Sequence, residues 1–183
     1  MKDYLKPVLG GNILDASCGS GLFSRLFTKR GLFSLVMALD YSENMLQQCY
    51  EFQKRTMVVF DLFRNLILVR ADIARIPFIS GSLDAVHAGA AIHCWPSPSV
   101  AVAEVSRVLR PGGVFVATTC ILDGHFSLIP FLKPISQRFT QVSGSNIFLS
   151  ERELEDVCRA CGLVDFTCTR NGRFVMFSAT KPS

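Results

Sequence analysis

Short runs of consecutive apolar residues alternate along this chain with longer stretches whose apolar residues recur every three or four positions. "NILDAS" (12–17) is apolar on successive positions, as in a strand buried on both faces. "GLFSRLFTKRG" (21–31) has the period of a helix, with Gly31 at its stop. "FSLVMALD" (33–40) predicts a second strand, and Ser42 an N-cap ahead of the helical "ENMLQQCYEFQKR" (43–55). Beyond the apolar connector "TMVVFDLF" (56–63), "NLILVRAD" (65–72) and "SLDAVHAGAAI" (82–92) predict a third and a fourth strand. "SPSVAVAEVSRVLRPGG" (97–113) reads as a helix closed by Pro111-Gly112-Gly113, and "VFVATTC" (114–120) as a fifth strand. "SERELEDVCRACG" (150–162) carries a capping box from Ser150 to Glu153. "LVDFTCTR" and "RFVMFSATK" flank Asn171-Gly172, a hairpin signal. Strand–helix alternation with buried strands predicts an α/β, Rossmann-like doubly wound sheet with an antiparallel edge from the closing hairpin. No repeat or low-complexity linker divides the sequence, so residues 1–183 are expected to be a single domain.

Composition narrows the class. Hydrophobic residues make up 49% and charged residues 19% of the chain, which is a globular balance. A mean hydropathy of +0.33 is high for a soluble protein and points to an apolar binding face. No uninterrupted apolar stretch approaches the roughly 18 residues of a bilayer span. The net charge of +4 is modest and its basic residues are scattered on predicted helix faces, which gives no argument for a nucleic-acid partner. Seven cysteines at irregular spacing suggest reduced thiols better than a disulfide framework. Cys158-Arg-Ala-Cys161 has no second Cys/His pair at zinc spacing, so packed helix-end cysteines are expected and no metal site.

The chemistry concentrates in "LDASCGSGLFSRLF" (14–27), the turn after the first strand. Gly19-Ser-Gly21-Leu-Phe-Ser24 resembles the dinucleotide fingerprint, with Asp40 about 20 residues on for a ribose diol. A turn that merely needs positive φ would use glycines too. Asp15, at the end of the first strand, separates the alternatives. A pyrophosphate held there would meet a like charge in a poorly solvated crevice, whereas an ammonium or sulfonium would be drawn to it. Asp72 ends the third strand, where an adenine amino group could lie. Three acids at three strand ends, with no lysine or arginine facing a phosphate, describe a cationic, phosphate-free nucleotide. S-adenosyl-L-methionine is such a molecule.

The ordered set "ILDASCGSG", "MALDYSENML", "RADIARIPF", "SLDAVHAGAAIHCW" and "EVSRVLRPGGVF" resembles the successive motifs of class I S-adenosylmethionine-dependent methyltransferases. Within that family it is most similar to the plant plastid, plastoglobule-associated branch, over roughly residues 10 to 180. The resemblance implies a seven-stranded sheet with the last strand antiparallel, and a plastid location. It implies cofactor contacts from Asp15, Ser17, Cys18, Gly19 and Gly21, from Asp40, Tyr41 and Met45, from Asp72 and Ile73, and from Gly89. Ser17 stands at the first glycine of the usual DxGxGxG pattern, and is expected to be tolerated there with ordinary backbone angles. Family members carry helices ahead of the first strand. Only about ten residues stand there in this chain, so an N-terminally truncated form of a longer plastid-targeted precursor is expected.

His93, in "AAIHCWPSP", is either a substrate-facing base or hydrogen-bond partner, or a histidine packed at a helix start. His87 lies within the fourth strand and is expected in the core; Asp84, at that strand's start, is expected to be structural; His125 has no evident partner. The segment 121–148 is apolar and proline-interrupted and carries Phe126, Phe131, Phe139 and Phe148. A connector that long is usually a lid or a binding element. Its aromatic content points to a small apolar acceptor such as a prenyl quinone or phenolic lipid, or to peripheral association with a lipid surface. Methyl transfer to such an acceptor is the expected activity. The rival readings are a catalytically silent cofactor-binding or lipid-droplet-associated domain and an NAD-dependent oxidoreductase. Asp15 argues against the oxidoreductase.

Overall fold

The structure is a computed structural model and describes residues 1–57, 65–121 and 147–183. The apolar runs form β1 (Asn12–Ala16), β2 (Leu35–Asp40), β3 (Leu66–Arg70), β4 (Leu83–Gly89), β5 (Leu109–Cys120), β6 (Val164–Asn171) and β7 (Phe174–Thr180). The helices are α1 (Lys2–Leu5), α2 (Leu22–Lys29), α3 (Glu43–Met57), α4 (Pro98–Val108) and α5 (Glu151–Ala160). The helix α1 and the 3-10 turn Lys6–Val8 go beyond the sequence reading; both exist because Leu5 and Val8 bury against Ile13, Phe27 and Val114. Most of the apolar connector 56–63 and of the segment 121–148, including His125, Phe126, Phe131 and Phe139, lies outside the described residues.

One sheet holds all seven strands in the order β3-β2-β1-β4-β5-β7-β6. The first five pair in parallel, and β7 runs antiparallel to both β5 and β6. Chain order reverses between β1 and β4, so the crevice beyond the carboxyl ends of these strands is the topological switch point. Alternate residues of each strand feed two cores. Ile13, Val36, Ala38, Ala85, Val114 and Val116 pack with Phe27 of α2 and with Leu5. Leu14, Ala16, Met37, Val86, Phe115 and Phe177 face the other way, toward Val105 of α4 and Leu154 of α5.

Local signals hold at most element ends. Ser42 caps α3 by accepting the Met45 N–H at 3.3 Å. The capping box of α5 is complete, with Glu153 N–H donating to Ser150 Oγ at 3.3 Å and Ser150 N–H to Glu153 Oε2 at 2.9 Å. Two expectations shift. Pro111-Gly112-Gly113 does not close α4, which ends at Val108; it lies within β5. Gly112 N–H donates to the Lys181 carbonyl at 2.9 Å, and Lys181 N–H to the Gly113 carbonyl at 2.9 Å. A carbonyl already 2.8 Å from where a Gly113 Cβ would stand keeps that residue small. In the closing hairpin Asn171 pairs with Phe174, so the two-residue loop is Gly172-Arg173, one position later than the Asn-Gly signal. Gly172, with φ +61°, supplies the left-handed residue that the turn needs.

Candidate cofactor-binding site

Between β1 and α2 the backbone is left-handed at alternate residues, Ser17 (φ 57°), Gly19 (φ 54°) and Gly21 (φ 76°). The turn is bound to the end of β2. Cys18 N–H donates to the Leu39 carbonyl at 2.9 Å, and Gly19 N–H to Asp40 Oδ2 at 2.8 Å. Asp40 Oδ1 accepts the Ser42 N–H at 2.8 Å, so one carboxylate fixes both the glycine turn and the start of α3. Space around the two glycines differs. A Cβ on Gly19 would meet nothing within 4 Å, whereas one on Gly21 would lie 2.1 Å from Cys49 Sγ. Ser17 departs from expectation: its φ is not ordinary, and a Cβ in this region costs about 1–2 kcal/mol. Its hydroxyl is engaged in return, accepting the Trp95 indole N–H at 3.0 Å.

Beside this turn, at the carboxyl ends of β2, β3 and β4, lies a cavity of about 620 Å3. Ser17, Asp40, Tyr41, Asp72 and Ile73 line it, which are five of the residues singled out in the sequence. Ala71 and, from the segment after β4 that the resemblance also implicates, Ala90, Ala91, Cys94, Trp95 and Pro96 complete the wall. Among the described residues the lining holds two carboxylates and no lysine or arginine. A pyrophosphate would find repulsion there, whereas a positively charged nucleotide lacking phosphates fits the charge. The segment after β4 contributes through a 3-10 helix, Ile92–Cys94, that Trp95 caps. Ala90, left-handed at φ 52°, holds its approach by donating its N–H to Thr118 Oγ1 at 2.9 Å.

Several predicted residues sit elsewhere. Asp15 ends β1 as expected, but it is 1% exposed and turned under α2. Its carboxylate accepts from Ser24 Oγ at 2.5 Å and pairs with His87 Nδ1 at 2.8 Å. Strand parity explains this. Asp15 shares its face with Ile13, whose neighbours are Ala85 and the α2 residue Phe27, and not with the cavity. Gly89 also belongs to that face. A Cβ there would stand 2.9 Å from the rings of His87 and Phe23, so its missing side chain makes room for packing and not for a ligand. Met45 lies on the first turn of α3 and is 37% exposed, outside the cavity lining. Cys18 Sγ donates to the Gly19 carbonyl at 3.5 Å, and the Cys49 thiol beside it, burial and the nearby Asp15 and Asp40 charges push its own thiol above the ordinary range.

His93 is half-buried on the 3-10 helix and is not among the residues that line the cavity, unlike its neighbours Cys94 and Trp95. Its ring stacks on Phe148 with 5.8 Å between centroids and 4° between planes. Nδ1 meets Thr119 Oγ1 at 3.1 Å, and its carbonyl accepts the Ile147 N–H at 2.7 Å. Hydrogen bonding and packing are thus both present. His87 is buried in the core as expected, tilted against Phe23 and edge-to-face with Phe27. Asp84 is structural, accepting from Asn12 N–H at 2.7 Å and Arg110 Nε at 2.6 Å. Cys158 is buried in α5 and burial pushes its thiol up to about 12, in keeping with packed helix-end cysteines.

A family profile described as a methyltransferase domain matches residues 14–117, from β1 into β5. An uncharacterized chloroplastic methyltransferase of Arabidopsis thaliana is 72% identical over 182 residues, covering 100% of this chain and 51% of the relative. A second chloroplastic one from the same plant is 52% identical over 181 residues, covering 99% of this chain and 50% of the relative. The chain therefore spans about half the length of these curated relatives. Among solved structures, a Haemonchus contortus phosphoethanolamine N-methyltransferase in complex with S-adenosyl-L-methionine superposes with a TM-score of 0.72 at 17% identity, over 99% of this chain and 52% of that one. That likeness is one of fold. With the sheet order, the glycine turn and a profile match across more than half of its length, this chain belongs to the methyltransferase domain family.

Proposed function

We propose that this chain uses S-adenosyl-L-methionine to methylate a small apolar acceptor. The observation that carries the proposal is the cavity at the strand ends, which among the described residues presents Asp40 and Asp72 and no basic side chain beside a turn of alternating left-handed residues. The cofactor, when bound, supplies a methyl group activated on a sulfonium. Asp40 accepts from the ribose hydroxyls while its carboxylate keeps the Gly19 and Ser42 amides in place. Asp72, whose Oδ1 already takes the Ala74 N–H at 2.9 Å, offers acceptor capacity to an adenine amino group. Ile73, Ala91 and Trp95 give the base apolar walls and exclude water from them. Because transfer is an in-line displacement, holding the acceptor near the methyl group matters more than strong base catalysis. His93 is the candidate to help an acidic hydroxyl or ring carbon, through Nε2, since Thr119 engages Nδ1.

A prenyl quinone or phenolic lipid is the acceptor that this reading favours. The stacked His93–Phe148 pair and buried Ile121 support it, as does the aromatic sequence between β5 and α5. Plastid location agrees with the chloroplastic relatives, and a place at plastoglobules within it would agree with such an acceptor. Calorimetry with S-adenosylhomocysteine tests the cofactor site. Asp40→Ala should bind roughly tenfold or more weakly, because hydrogen bonds to a charged group contribute about 1.5–3 kcal/mol. Unchanged affinity in a folded variant would sink the assignment. Transfer of labelled methyl to a phenolic prenyl lipid tests the acceptor; cofactor binding without any transfer would leave a silent binding domain.

A further inference from the structure

We propose that Ser17 and Trp95 form a latch that sets one wall of the cofactor cavity, with Ser17 a positioning residue that acts through the tryptophan ring. Ser17 belongs to the turn after β1 and Trp95 to the segment after β4, and both line the cavity. The indole N–H donating to Ser17 Oγ at 3.0 Å joins them across 78 positions of sequence. Trp95 is 3% exposed and packed in the core that holds Leu14 and Ala16. Its N–H is the ring's sole hydrogen-bonding group, and once buried it requires an acceptor. Glycine at position 17 would adopt φ 57° without strain but would leave that N–H unanswered. Serine is the smallest side chain with an oxygen to offer, so a strained backbone is retained where a relaxed one is available. The bond makes the glycine turn and the post-β4 segment one wall, and fixes the ring beside the bound nucleotide. This rests on the cofactor reading above.

The experiment uses the 183-residue chain, whose single tryptophan makes its emission a direct report on this contact. S-adenosylhomocysteine binding is measured for the unaltered chain and for Ser17→Ala, Ser17→Gly, Ser17→Asn and Trp95→Phe, and emission for all of these that keep Trp95. Ser17→Ala, Ser17→Gly and Trp95→Phe should each weaken binding by about three- to tenfold, the range for one lost hydrogen bond. Ser17→Gly should at the same time lose less Tm than Ser17→Ala, because both leave the indole N–H unanswered but only glycine releases the strain. Stability and affinity then move apart, which a merely structural role would not produce. Ser17→Asn should recover both affinity and emission, since asparagine tolerates the left-handed region and its amide oxygen accepts. The double variant Ser17→Ala/Trp95→Phe should lose no more than either single change. Full affinity and unaltered emission in Ser17→Ala and Ser17→Gly, with Asp40→Ala still impaired, would overturn the latch and leave the cofactor site standing. No binding by the unaltered chain would overturn the cofactor reading, and the latch's part in it.

Discussion

A methyl group added to Gly21 would stand 2.1 Å from Cys49 Sγ and 3.2 Å from its Cβ, on a backbone held at φ +76°. Overpacking and left-handed strain act together there, so Gly21→Ala should cost about 2–4 kcal/mol in urea unfolding. In a Cys49→Ala background the same change should cost clearly less, because the clash is gone and only strain remains. Equal costs in both backgrounds would mean that the sulfur does not pack on the turn. Spacing alone made the glycines visible in the sequence, and acids at strand ends made Asp40 and Asp72 visible. Asp15 was legible as a strand-end acid but not in its direction. A strand buried on both faces carries no polar alternation to say which way an acid turns, and only the packing of α2 does. Trp95 sits two residues after His93 in a segment already suspected, yet nothing local announces a partner 78 residues away.

At the scale of elements, Asp84 joins the start of β4 to Asn12 at the start of β1 and to Arg110 in β5. Gly11 makes room for it, since a Cβ there would be 2.3 Å from the carboxyl carbon. Burial works to raise the Asp84 pKa, but the Asn12 amide and the Arg110 guanidinium outweigh it and hold the carboxyl below its ordinary value. A depressed folded pKa means stability that is complete above the carboxylate range and lost as pH falls through it. Asp84→Asn should therefore be less stable than the unaltered chain near neutral pH, and the difference in Tm should shrink below about pH 4. A difference that persists unchanged into acid would show that the charge contributes nothing. The same strand shows where local reading stops. Pro111-Gly112-Gly113 is a turn signal by composition, but a strand arriving from the far end of the chain, through Lys181, holds it in the sheet.

For the whole molecule, alternation of buried strands and amphipathic helices was enough to read the doubly wound sheet, because that pattern has few other ways to bury both faces. The strand order was not legible from periodicity; the family resemblance supplied only the seven strands and the antiparallel last one. β7 is the last strand in the chain, yet it occupies the sixth place in the sheet and gives β6 its pairing partner. A chain ended after Arg173 should thus lose two strands from the sheet and not one. Its β5, with Val114, Val116 and Ala117, would be a bare edge, and size-exclusion chromatography should show it associated. A monomeric, cooperatively melting product would show that β6 docks without β7. The same order bears on synthesis. While the chain emerges, every parallel pair can form before the final strand has left the ribosome, and β5 waits meanwhile with its hydrogen-bonding edge open. A stalled or shortened message would therefore release an open sheet, and its clearance would fall to the chaperones that cover exposed strands.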